Sequence, residues 1–262
     1  MTLEDDQPAG AGQGSKTPFE ERVSSYIGGK SKNNSLINTI GCEIVDGTFP
    51  PDETLPSEAF MLQRYSVSRT SLREAYSKLT AKGLLTARPK VGTTVRARTY
   101  WNMLDAEVLD WHLQTMPAGA LATDLYALRR MVEPGAAELA AAEHTAKDIL
   151  NLEAALRTMT ENAANETELI AADLRFHLSI LKATQNPFIN AFSALIYAAM
   201  VSTFKLSWRG AEVMKATRLA QHAAVAEAIK AGNANSARAL MEELLDDSIE
   251  DVVGARQPKN DN

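Results

Sequence analysis

Apolar residues in this chain recur mostly at three- and four-residue spacing, the period of an amphipathic helix. Only around residues 84–95 does the pattern shorten to that of strands. Leu36, Ile37, Ile40 and Ile44 mark a first helix, which Gly47 closes and Pro50-Pro51 keeps from continuing. Ser57 then caps a short helix, with Glu58 in its first turn and Phe60, Met61 and Tyr65 placed for burial. Ser66-Val67 turns the chain. Ser68 caps another helix, whose inward face is Leu72, Tyr76 and Leu79 at i, i+4 and i+7. Beyond Gly83, residues 84–86 and 93–95 read as two short strands joined by the turn Pro89-Lys90-Val91-Gly92. Three helices and a two-stranded wing make a winged helix-turn-helix over residues 34–97.

Residues 98–118 form a connector with Trp101 and Trp111, and a helical stretch through Leu104, Val108 and Leu109. Two tryptophans so close together are expected to be buried, joining the winged module to a second domain. Pro117 and Gly119 mark the boundary. The second domain spans 119–254; from 121 to about 253 the periodicity is helical throughout, with helices expected at 121–142, 146–162, 166–184, 188–207, 213–231 and 233–252. Pro134 lies inside the first of these and should kink it. The fold class is therefore mostly α, a winged module followed by an all-helical bundle. Residues 1–33, with a short helical turn around 19–27, read as a flexible polar tail, and residues 255–262 as a loose one.

Charge sharpens this picture. Between Arg64 and Arg98 stand nine basic residues and one acid, Glu74, a net of +8 in a chain that is −6 overall, which leaves −14 elsewhere. A basic patch on an acidic protein suits a module that grips a polyanion. Ser68, Arg69, Thr70, Ser71 and Arg73 lie near the N-terminal end of the 68–82 helix, the end that enters the major groove, where arginine forks onto guanine. Lys90 and Gly92 sit in the wing, over a phosphate or the minor groove. The stretch 183–204 is uncharged, but its apolar part, 189–204, falls short of the about 20 residues a bilayer span needs. A single cysteine, Cys42, set among apolar neighbours, and a polar N-terminus without a signal peptide point to the cytoplasm and no membrane.

The helical region carries polar groups in apolar company. Asp173 and His177 are four apart on a face that also bears Leu169, Ile170, Ile180 and Leu181. His222 lies on another inward stripe, and Arg129 flanks Leu125, Leu128 and Val132. A buried, unpaired carboxylate is costly. A divalent cation held by Asp173, His177 and His222 would remove that cost and keep positions open for a ligand. Arg129 would then suit a small anion, since arginine binds a carboxylate with two parallel hydrogen bonds. Blander alternatives stay open: an i, i+4 pair at Asp173 and His177, a carbonyl-satisfied His222, and an Arg129–Glu133 pair along one helix. His112 and His144 read as structural.

Leu55-Pro56-Ser57-Glu58, Val67-Ser68-Arg69-Thr70-Ser71-Leu72-Arg73-Glu74-Ala75, Gly83-Leu84-Leu85 and Gly92 resemble the DNA-binding domain of GntR-family transcription regulators. The family usually has a DNA-contacting arginine after Glu58, where this chain has Ala59; Arg64 is the candidate substitute. Leu128-Arg129 through Glu133-Pro134, Asp173-x-x-Phe176-His177, Asn186-Pro187 and His222 before Val225-x-x-Ala228-Ile229 resemble the FCD effector domain of FadR-type members. That resemblance implies a homodimer on an inverted-repeat operator, a carboxylate effector, and a metal such as Zn, Mn or Ni held by one Asp and three His, with 119–254 as the effector-binding and dimerisation domain. The position of the last His is Leu244 here. The 101–111 stretch and Arg129 to Pro134 are similar to the branch of galactonate-operon repressors, which implies a sugar-acid effector such as galactonate. The implied function is a ligand-responsive repressor, not an enzyme. An acyl-CoA effector and a metal-dependent enzyme on sugar acids are the alternatives.

Overall fold

The computed structural model describes residues 36–162, 165–207 and 216–254. Both tails, and the turn expected at 19–27, lie outside these residues.

Helix α1 (Leu36–Val45) buries Ile40, Gly41, Ile44 and Val45. Helix α2 (Glu58–Tyr65) starts where the Ser57 hydroxyl accepts from Phe60 N, and it ends at Ser66, whose φ of 54° is left-handed. Helix α3 (Arg69–Ala81) starts where the Ser68 hydroxyl accepts from Ser71 N, and it buries Leu72, Ala75 and Leu79. Strands β1 (Leu85–Arg88) and β2 (Gly92–Val95) pair antiparallel, with Leu85 opposite Val95 and Arg88 opposite Gly92. The wing carries a further edge absent from the sequence pattern: Leu55 N donates to Thr93 O, and Val95 N to Glu53 O. Of the residues placed for burial on α2, Met61 is buried and Tyr65 partly so, whereas Phe60 is 49% exposed and corrects that expectation. On an eight-residue helix beside a small core, only one stripe fits inside.

The connector belongs physically to the winged module. After a 3-10 turn (Arg98–Tyr100), helix α4 (Ala106–Thr115) begins at Asp105, whose Oδ1 accepts from Glu107 N and Val108 N. Trp101, Val108 and Trp111 share one core with Ile40, Met61, Leu72 and Val95. Trp111 Nε1 donates to Asn38 Oδ1 at 3.0 Å, and Trp101 Nε1 to Arg96 O at 2.9 Å. Helix α4 packs on α1 and also on α9 of the second region.

That region comprises α5 (Ala118–Glu143), α6 (Ala146–Glu161), α7 (Glu166–Ala183), a short α8 (Pro187–Asn190), α9 (Ser193–Ser207), α10 (Ala216–Lys230) and α11 (Ala234–Gly254). Helix α5 touches α7, α9, α10 and α11, and its buried Ala136, Ala137, Ala140 and Ala141 allow close approach. It runs through Pro134 as one element. The helix expected over 188–207 is two: Asn186 Oδ1 caps α8, and Phe192 N returns to Ile189 O before α9 begins. Residues 213–215 of the helix expected from 213 lie outside the described residues. No described helix is long and apolar enough to cross a membrane.

Candidate functional site

Two places bring the polar residues together. The first is the N-terminal end of α3. Burial of Leu72, Ala75 and Leu79 turns Ser68, Arg69, Thr70, Ser71 and Arg73 outward, and all five are exposed. The side chains of Arg69 and Arg73 are 77% and 75% exposed, and their nitrogens lie 3.7 and 4.0 Å from Glu58 Oε1. Ion pairs this open contribute little, so both guanidiniums can exchange Glu58 for a base or a phosphate. In the wing, Lys90 adopts φ 65° and Gly92 φ 108°, both exposed, and Val91 N closes the turn onto Arg88 O.

Two other basic residues are engaged within the protein. Arg64 Nη2 lies 2.7 Å from Glu43 Oε1, and its guanidinium stands over the rings of Phe49 and Tyr65. Lys82, only 14% exposed, binds Asp105 at 2.6 Å and Glu107 at 2.7 Å. The basic window therefore spends Lys82 on fastening the connector, which its charge alone does not reveal.

The second place is a buried polar cluster between α5, α7 and α10. Arg129, Glu133, Asp173, His177 and His222 are all less than 8% exposed. Arg129 Nε donates to Glu133 Oε1 at 2.6 Å, and Arg129 Nη2 lies 3.3 Å from His177 Nε2. The other Glu133 oxygen binds His177 Nδ1. Asp173 Oδ1 is 3.5 Å from His177 Nε2 and 2.7 Å from His222 Nε2. His222 Nδ1 lies 2.7 Å from the Arg218 carbonyl oxygen. Phe176 packs edge-on against both imidazoles.

Burial pushes the Glu133 carboxyl up, but Arg129 and His177 outweigh it and hold it at about 2. Against the same burial, His222 and His177 keep the Asp173 carboxyl well below the usual carboxylate range. Burial also disfavours a charged His177, and the Glu133 carboxylate beside it raises its pKa above the ordinary value nonetheless.

These residues fit a metal. One ligand atom from each of Asp173, His177 and His222 lies within 4.8 Å of the others. Each imidazole has its Nδ1 against an acceptor and its Nε2 toward Asp173, the arrangement of a metal-binding histidine, and Arg129 Nη2 stands beside the His177 Nε2 as well. Leu244 on α11 is fully buried and supplies no ligand. Three protein ligands leave positions for water or an effector oxygen.

Some of this was within reach of the sequence. Glu133 stood there only as a helix-spaced partner of Arg129; its bond to His177 depends on α5 packing against α7. His112 and His144 each satisfy Nδ1 with the carbonyl four residues earlier, Val108 and Ala140.

Residues 34–95 match the model for bacterial regulatory proteins of the gntR family, and residues 124–247 match the FCD domain. Over 200 residues the chain is 32% identical to the galactonate operon transcriptional repressor of Escherichia coli strain K12, spanning 76% of this chain and 87% of that one. It is 31% identical over 219 residues to the uncharacterized HTH-type transcriptional regulator YieP of the same organism, spanning 82% and 93%. The solved structure of Lar, which controls expression of the Listeria monocytogenes agr system, shares the fold at TM-score 0.58 and 19% identity, over 86% and 98% of the two chains. The chain belongs to the GntR family of bacterial regulatory proteins, as a transcriptional regulator with a winged DNA-binding domain and an FCD domain rather than an enzyme.

Proposed function

We propose that this protein is a repressor released from its operator by a sugar acid such as galactonate. The observation that carries the reading is a buried Asp173–His177–His222 cluster beside Arg129, in the domain where this family senses small molecules. Similarity to a galactonate operon repressor supports the choice of effector.

In this reading Arg69, Thr70 and Arg73 read base edges, while Ser68, Ser71, Lys90 and the backbone at Gly92 hold phosphates or the minor groove. Arg64 contributes charge from the side, since Glu43 already holds its guanidinium. Two chains related by a twofold axis present two recognition helices to an inverted repeat, with half-sites about 34 Å apart or a multiple of it. The dimer works in the bacterial cytoplasm, where its DNA lies.

Asp173, His177 and His222 would hold a divalent cation, Zn, Mn or Ni. Bound there, it supplies an electrophilic centre for carboxylate and hydroxyl oxygens. Arg129 adds positive charge at the same place, matched to the carboxylate. The cluster is polar and compact, which favours a short sugar acid over the acyl chain of an acyl-CoA.

The test is binding of the purified protein to the DNA upstream of its own gene, with galactonate, gluconate or a long-chain acyl-CoA added. Release by an aldonate alone supports the reading. Release by the acyl-CoA alone, or by none of the three, overturns the effector assignment.

A further inference from the structure

Glu133 is outside the proposed ligand set, yet it is fully buried and touches both Arg129 and His177. Its two oxygens are divided. One takes Arg129 Nε at 2.6 Å; the other takes His177 Nδ1. On the opposite side, the partner of His222 Nδ1 among the described residues is a backbone carbonyl, that of Arg218, at 2.7 Å. A carbonyl accepts and never donates, so His222 carries a proton on Nδ1. Glu133, as a carboxylate, imposes the same state on His177. Both rings consequently turn Nε2 toward Asp173 Oδ1.

A buried ion pair such as Arg129–Glu133 gains no clear stability over a packed apolar pair, because both charges lose their water. Its place in this core calls for another reason. A histidine that binds metal through one nitrogen gives the other N–H to an acceptor, which fixes the tautomer and the ring angle. Among the described residues the cluster offers only three ligands, so their preorganisation counts for more.

Resting on the proposal that this cluster holds a metal, we propose that Glu133 and Arg129 are positioning residues of the metal centre. Arg129 aligns the Glu133 carboxylate. Glu133 holds the Nδ1–H of His177, leaving Nε2 to coordinate beside Asp173 and His222. Arg129 thus serves the site before any effector arrives.

The experiment uses the full chain, stripped with a chelator and titrated with Zn²⁺ against a chromophoric competitor, then with Co²⁺ followed by its absorption. E133Q keeps the shape and removes the carboxylate charge. It should weaken metal binding by about 10- to 100-fold while the helical circular-dichroism signal is retained. Because Glu133 acts through His177, E133Q should cost nothing further in an H177A background, yet its full factor in an H222A background. If E133Q alone fails to fold, R129M/E133Q, which also removes the orphaned cation, carries the same expectations. A wild type that binds neither metal sinks the metal reading, and this inference with it. A wild type that binds, beside an E133Q that binds equally or whose loss multiplies with that of H177A, refutes the positioning role and leaves the metal reading standing.

Discussion

Gly41 has no side chain because none would fit: a Cβ there would lie 2.5 Å from the ring of Trp111. Gly83 is constrained twice, by φ +82° and by the Tyr100 carbonyl oxygen, which occupies the space its Cβ would need. Gly41→Ala should destabilise the winged module by about 1–3 kcal/mol, because α1 or α4 must move to admit a methyl. Urea unfolding followed by tryptophan fluorescence measures this, and an unchanged midpoint would mean that the two helices are not in that contact. Residues of this kind show the limit of a one-dimensional reading. Gly83 stood out as the glycine before the first wing strand, a local fact. Gly41 did not, since its reason lies at Trp111 in another helix. Asp173, His177 and His222 were visible as polar groups on apolar stripes, whereas the Glu133–His177 bond was not, because helical spacing ties Glu133 to its own helix first.

At the scale of elements, the helix-turn-helix is the most legible part, because its start signals are side chains that cap their own turns. Ser57 and Ser68 each accept a hydrogen bond three residues on, as their positions implied. Ser68→Ala should cost about 1 kcal/mol of stability through the lost cap. Arg69→Ala and Arg73→Ala should cost almost none, being exposed, and should abolish specific operator binding. Thermal unfolding and footprinting on the same samples separate the two effects; a normal footprint from either arginine variant would move base recognition elsewhere. The connector was harder to read. Trp101 and Trp111 were expected to be buried, but their place in the winged core, and the clasp of Lys82 on Asp105, depend on distant partners. Asp105→Ala removes the α4 cap and one of the two carboxylates that hold Lys82, the other being Glu107. It should loosen the first turn of α4 from Lys82, read as faster amide hydrogen exchange in residues 106–115 with little change in α5. Equal exchange in wild type and variant would show that Asp105 holds nothing that Glu107 does not.

For the whole molecule the question is how the interior of the FCD domain reaches an arginine on α3. Helix α4 is the physical bridge, since it packs on α1 of the winged module and on α9 of the bundle. A bridge is not yet a switch. An effector can release DNA only if it binds the released geometry more tightly than the bound one, and linkage makes that preference reciprocal. If galactonate weakens operator binding by some factor, saturating operator must weaken galactonate binding by the same factor. Calorimetric titration of the protein with galactonate, with and without a duplex carrying its operator, tests this. The effector Kd should rise with operator and stay put with a scrambled duplex at the same salt, because the phosphate contacts alone are shared by both duplexes. Arg129→Ala should bind operator, bind galactonate weakly if at all, and lose the coupling. Equal galactonate affinity with and without operator would show that sensing and DNA release are unconnected, however well each half works alone.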